Sequence, residues 1–412
     1  MNKKLNLVSK LKNLTDKKEP DYTLFFISSA LIIIGIIFSY SLSVYTVIHL
    51  GYDQFHFLIR QLFAGILSIL VMWSFAQIKP SKLLPIVGWS LFGIFGITIL
   101  LMPIIPSSFI VESGGASRWI RLPGISIAPV EFFKIGFVYY LAHSFHRRVF
   151  YKEKQLFLDE IKLIAPYGVI FLILAYFIAV VQKDLGQTVV IGTIIFMMLF
   201  FANRSIKIFL SIFSIAIVAL GSLVLLFPHR IDRIKSWWGM VQDSILPYLP
   251  TFIAKELKLD TYTEAYQVGH AINAIHNGSM FGEGISNGYL KLGFLGEVHT
   301  DFVLAGITEE VGFFGISVIV LLFSFLIIRI FRVSRMLNNT EYHLFTIGIA
   351  IMLGTAFIIN AFGTSGIIPI KGLAVPFLSY GGSSLLASSI AIGLVLSISR
   401  DTIEYKKKKY ED

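Results

Sequence analysis

The most chemically loaded stretch of the chain is Lys291-Leu-Gly-Phe-Leu-Gly-Glu297-Val-His299-Thr300-Asp301-Phe302, which ends the longest polar interval of an otherwise apolar sequence. The next apolar run, Phe302 to Ile330, starts one residue after Asp301. That carboxylate therefore falls at the lip of a predicted membrane helix, where it is costly unless something pairs with it or uses it. Free helix N–H groups favour its charged form and burial in lipid opposes it. In either case the position suits a group that takes a proton from a substrate hydroxyl. A lone aspartate at a helix start is better read as a complement to the helix dipole. Here Glu297, His299 and Lys291 crowd the same segment, and Glu309 and Glu310 follow within a few turns, which moves the balance toward a site. Glu309 and Glu310 themselves read as a polar pair that holds helices together inside a bundle.

Five other groups of residues carry charge or unusual backbone. Pro129-Val-Glu131-Phe-Phe-Lys134 sets a carboxylate and an amine at i,i+3 on one face of a helix start, with proline where its missing N–H costs nothing. Structural pairing and an orienting role fit that spacing equally. Asp184, in Lys183-Asp184-Leu-Gly186-Gln187, reads first as a solvated turn. Arg60 at a helix end reads first as a snorkelling cation. Arg118, Arg121 and Lys371 are scattered cations that either meet lipid phosphate or converge on a pyrophosphate, for which arginine has the matching geometry. The run Gly366 to Ser384 is dense in Gly, Pro and Ser and includes Ser379. Non-helical backbone at membrane depth has to be buried in protein or line a wet cavity, and cavity lining is the expectation here. Close helix packing through the Gly-Gly-Ser-Ser cluster is the alternative.

These residues need a scaffold, and composition defines it. Of 412 residues 55% are hydrophobic and only 15% charged, with a mean hydropathy of +0.76. Soluble domains carry about a quarter charged residues, so this is an integral membrane chain, all-α, with apolar runs near the ~20 residues that cross hydrocarbon. The spans are expected at 22–48, then 58–76, 83–105, 130–142, 163–181, 188–202, 208–227, 302–330, 344–362 and 375–397, about ten in all. Residues 1–412 form one multispanning domain. The absence of cysteine excludes disulfides and thiol chemistry. The first apolar run is too long for a signal-peptide core. A net charge of +10 would suggest nucleic acid in a soluble protein. Here the basic residues sit in short loops beside spans, so nucleic acid is not expected as a partner.

Lys79 and Lys82, then Arg147 to Lys162, Arg204 and Lys207, and Arg329 to Arg335 fall in alternate connections, together with the 1–21 and 399–412 tails. The positive-inside rule then puts both termini in the cytoplasm. It leaves two long segments outside, Pro106 to Pro129 and a large loop at 228–300 between the seventh and eighth helices. The larger has helical periodicity near Glu264 to Ile275. Connections this long are usually functional or disordered.

Taken in order, Gly115-Ala-Ser-Arg-Trp119, Asp184-Leu-Gly186, His299-Thr-Asp301-Phe, Glu309-Glu310-Val-Gly312-Phe and Pro369 to Ser384 closely resemble the FtsW/RodA family, the shape, elongation, division and sporulation glycosyltransferases of bacterial membranes. The resemblance runs from about Tyr40 to Arg400. It implies ten spans in the bacterial cytoplasmic (inner) membrane and an enzyme that polymerises lipid II into glycan strands on the outer face. It maps the family's essential aspartate onto Asp301 and its Glu/Lys pair onto Glu131 and Lys134. Substrate contacts are then expected from Lys371 and Arg118 first, and from Arg121, Lys291, Glu297, His299, Arg60 and Ser379, with Asp184 orienting. A divalent cation (Mg or Mn) is an alternative partner for the leaving pyrophosphate. Lys371-Gly-Leu resembles the division branch more than the elongation branch. A class B penicillin-binding transpeptidase and other division proteins are the implied partners. A lipid II flippase, and a scaffold without chemistry, are the competing readings. Three features depart from the family pattern: Gly296 stands where proline usually precedes the glutamate, Lys183 stands where proline usually precedes Asp-Leu-Gly, and 243–263 is longer than usual.

Overall fold

The computed structural model describes residues 19–113, 116–122, 125–150, 157–202, 206–225, 228–259, 266–296, 298–369 and 372–402. Glu297, Lys371, the ends of both tails and part of the 243–263 segment lie outside the described residues.

Helices follow the expected apolar runs: α1 (Tyr22–Leu42), α2 (Val44–Leu50), α3 (His56–Gln77), α4 (Pro80–Leu101), α5 (Pro129–Phe145), α6 (Phe157–Ala175), α7 (Leu185–Phe201) and α8 (Ile206–Leu225). The larger loop then forms α9 (Pro228–Ile245), α10 (Thr251–Leu257) and α11 (Tyr266–Asn277), before α12 (Val303–Arg335), α13 (Thr340–Thr364) and α14 (Gly382–Ser399). Seven of the described helices are long and apolar enough to cross a membrane: α1, α3, α4, α6 with its π-helical extension to Val181, α12, α13 and α14. The chain is thus a multi-pass membrane protein. α7 is apolar but has 17 residues, and α5, also 17, carries Glu131 and Lys134. In α13 and α14 72% of the apolar window is buried, against 28% in α3 and 22% in α4, so the first two form the centre of the bundle and the others its rim.

Two helix boundaries and one loop differ from the sequence reading. The first run breaks at Ser43, whose hydroxyl turns back to the Tyr40 carbonyl, and α2 ends on Gly51 in the left-handed region. The last helix starts at Gly382 rather than Val375. The Ser379 hydroxyl accepts the Val375 N–H, and Phe377 and Gly381 both have positive φ, so 375–381 is held as a loop. The segment 106–129, expected to be plain loop, contains a small antiparallel sheet: β1 (Ile110–Ser113), β2 (Ala116–Leu122) and β3 (Ile125–Ile127) in the order β1-β2-β3.

α12 is two helices in sequence. Gly312 lies at φ 67°, ψ −172°, and residues 278–284 fill the break. Glu283 and Gly284 donate their N–H groups to the carbonyls of Glu309 and Glu310, while Phe313 and Phe314 donate to those of Ser279 and Met280. Four groups released by the kink are thereby paired, as buried backbone requires. The short arm Val303–Glu310 is buried throughout, and Asp301 stands at its head.

Candidate active site

Asp301 is half-buried, two residues before α12, at the end of the bundle that carries the sheet and the 228–302 loop. Its position is set by backbone clamps on both sides. Asn360, near the end of α13, donates its amide to the carbonyls of Asp301 (2.7 Å) and Leu373 (2.6 Å), tying two loops together with one side chain. The Ser379 hydroxyl donates to the Thr300 carbonyl at 2.6 Å, and the Tyr380 N–H donates to the His299 carbonyl at 2.8 Å. Gln61 on α3 holds the 379–381 loop in turn, donating to the Ser379 carbonyl and accepting from the Gly381 N–H.

Arg118 reaches the same place from the sheet. Val111 pairs with Trp119 and Glu112 with Ser117, so Arg118 is the extra residue of a β-bulge. Bulges re-aim side chains, often beside active sites. Its guanidinium donates to the Gly372 carbonyl (3.3 Å) and ion-pairs with Asp184 (3.1 Å). The side-chain position that Gly372 lacks lies 2.6 Å from Asp301 Oδ2 and 3.3 Å from Arg118 Nη1. Carboxylate and guanidinium therefore face each other across Gly372, where any side chain would have to push one or both aside.

Behind Arg118 a polar chain runs into the bundle. Asp184 caps α7 by accepting the Gln187 N–H at 3.1 Å, and the Gln187 amide donates to Glu131, which pairs with Lys134 at 3.0 Å. Burial pushes the Asp184 carboxyl up, and the Arg118 charge opposes that rise. The expectation of a solvated turn at Asp184 is thereby corrected: it is a buried cap and ion-pair partner. Lys183, beside it, adopts φ 57°, a conformation closed to proline. Glu131, Lys134, Gln187, Leu373, Pro376 and Ser384 line a cavity of about 10 Å³, the space of roughly one water and far too small for a sugar.

Lys291 is placed elsewhere. Its side chain is 1% exposed, and its ammonium pairs with Glu310 and donates to the Ser41 hydroxyl. It is not presented as a surface cation, because its charge is spent locking the α12 arm to α1. Glu309 accepts the N–H groups of Tyr289 and Leu290, so both glutamates are structural clasps. Ser379 is likewise buried and spent on backbone. His299 is buried against the rings of Phe57 and Tyr380, whereas Arg60 and Arg121 are exposed. Among the described residues no three of His, Cys, Asp and Glu are grouped to hold a metal ion. Sequence reasoning passed over Asn360, Gln187 and Gln61. The available signal was a single amide in an apolar helical run, which is expensive unless used.

A polytopic helical bundle whose loops bring an aspartate and an arginine together at the head of a broken helix defines the class. Against known proteins, the FtsW/RodA/SpoVE cell cycle protein family matches residues 22–404, and the chain belongs to that family. It is 47% identical over 383 residues to a protein of Helicobacter pylori named probable peptidoglycan glycosyltransferase FtsW, covering 93% of this chain and 99% of that one. A protein of the same name from Trichlorobacter lovleyi is 33% identical over 389 residues, covering 92% and 93%. The fold matches a chain of a peptidoglycan synthase complex described as coordinating polymerization and crosslinking, with a TM-score of 0.69 at 23% identity, covering 93% of this chain and 98% of that one. It also matches the Thermus thermophilus rod shape determining protein RodA, with a TM-score of 0.63 at 23% identity, covering 93% and 97%.

Proposed function

We propose that the protein is a peptidoglycan glycosyltransferase that polymerises lipid II at the outer face of the bacterial cytoplasmic membrane, with both termini inside. The observation that carries this reading is the facing pair of Asp301 and Arg118 across Gly372. Asp301 takes the proton from the 4-hydroxyl of the acceptor N-acetylglucosamine. The freed oxygen bonds to the anomeric carbon of the donor as the bond to pyrophosphate breaks, and its electron pair leaves with undecaprenyl pyrophosphate. Inversion in one displacement needs a base on the attacking side and charge relief on the other, the logic of inverting glycosidases with a sugar hydroxyl in place of water.

Arg118 is the cation best placed for charge relief, and Asp184 fixes its direction. Lys371, one residue before Gly372 in sequence, is the second candidate. Arg121, Arg60, Glu297 and His299 complete the proposed substrate contacts. Asp184 and Glu131, already engaged by Arg118 and Lys134, do not fit a magnesium or manganese site. The division-type assignment rests on Lys371-Gly-Leu. A class B penicillin-binding transpeptidase is the proposed partner, in keeping with the synthase complex in which one chain shares this fold.

The test is purified protein, with and without that transpeptidase, given lipid II and resolved on a glycan gel. Polymer from the wild type supports an enzyme. Movement of lipid II across a vesicle bilayer without polymer would support the flippase reading instead.

A further inference from the structure

Asp301 has chemically different surroundings on its two flanks. Toward Gly372 lies the guanidinium of Arg118. Toward His299 lies an aromatic cluster built on the start of α3. Phe57 is buried, edge-on to His299 at 5.2 Å and to Tyr380 at 5.0 Å. Over it sits Tyr52, edge-on to Phe57 at 5.6 Å and stacked on His56 at 4.5 Å. Tyr52 is 44% exposed. Arg60 lies one turn beyond His56 on the same helix. Burial pushes the Tyr380 hydroxyl up, with Arg60 opposing, so it stays a neutral donor and acceptor at working pH.

This rim is not loosely attached. Gln61 on the same helix grips the 379–381 loop, and that loop grips His299 and Thr300. Only Thr300 separates His299 from Asp301, which puts their Cα atoms at most about 7 Å apart. An aromatic belt at the membrane interface accounts for exposed tyrosines in general. It does not account for a rim that is rigidly bonded to the loop carrying Asp301 and edged with an imidazole, a phenol and a guanidinium. Ring faces for C–H stacking, bordered by hydroxyl-binding groups, are the chemistry that holds an N-acetylated sugar.

We propose that Tyr52, His56, Tyr380 and Arg60, supported by Phe57 and His299, form the acceptor-side sugar platform, which stacks the N-acetylhexosamine whose hydroxyl faces Asp301. This rests on the glycosyltransferase reading above and assigns the two flanks: cationic for the departing pyrophosphate, aromatic for the incoming sugar.

The test uses the full-length protein in nanodiscs carrying Asp301→Asn, so that binding is read without turnover. The probe is chitotetraose, a β-1,4-linked tetramer of N-acetylglucosamine, and the readout is saturation-transfer NMR. We expect transfer to the sugar protons that falls about tenfold with Tyr52→Ala and with Tyr52→Leu, and returns with Tyr52→Phe and Tyr52→Trp. Leucine keeps an interfacial apolar anchor and loses only the ring face. No transfer to the unsubstituted platform, or equal transfer with Tyr52→Leu, would overturn the proposal. Polymerisation by Asp301→Asn would remove the proposed base and leave the platform standing. A ring-independent signal together with an inactive Asp301→Asn would do the reverse.

Discussion

At the scale of single residues, the site depends on what Gly372 leaves out. Its missing side chain is the gap between Asp301 and Arg118, and φ there is ordinary, so alanine would be strained only by contact. Gly372→Ala should cut polymerisation about 100-fold, since a displacement near 1 Å costs that much in a positioned site. Thermal unfolding should shift little by comparison, and a glycan gel beside a melting curve checks both. Asp184 supplies a pH signature. Burial raises its folded-state carboxyl above the unfolded value, with Arg118 opposing. A raised group holds its proton more tightly when folded. Its contribution to stability is therefore complete below the unfolded value and lost as pH rises through the folded one. Melting temperature followed from weakly acidic to neutral pH should fall more in the wild type than in Asp184→Asn, which has no such proton to lose. A larger fall in the variant would reverse the assigned direction.

At the scale of elements, the broken helix is the main device. Gly312 is in the left-handed region, and a side chain there would run into the backbone of 280–282. Gly312→Ala should destabilise by about 3 kcal/mol or more, combining backbone strain and overpacking, with loss of folded protein in a detergent melt as the check. Much of this element was legible beforehand. The apolar runs placed the helices, and Pro-x-Glu-x-x-Lys gave the i,i+3 pair that forms between Glu131 and Lys134. The break was not legible, because periodicity runs through Val303–Arg335 and only the partner loop 278–284 makes a kink affordable. The sheet was missed for a similar reason: its strands are short, and the bulge at Arg118 interrupts the alternation that would reveal them. Lys291 was misplaced because sequence gives a charge without its partner, and Glu310 lies on a separate element.

At the scale of the whole molecule, composition alone established a membrane bundle, and the ordered motifs pointed to the family that the comparisons support. What sequence could not supply was convergence. Arg118, Asp184, Asp301, Asn360 and Gly372 come from the sheet, a helix cap, a loop, a core helix and a second loop. Their spacing along the chain carries no information about how they meet. The bundle resolves this by burying α13 and α14 at its centre and hanging the Asp301 and Gly372 loops from a single amide of α13. Asn360→Ala removes both hydrogen bonds and should destabilise by about 1–3 kcal/mol in total, with polymerisation falling in parallel.

The central claim is that one carboxylate removes the acceptor proton. It is tested most directly by lipid II polymerisation with purified Asp301→Asn protein, which keeps the shape of the side chain and removes its basicity. The expected result is product reduced by about 100-fold or more, the scale of general-base catalysis, from protein that melts like the wild type. Undiminished glycan strands from that variant would contradict the account.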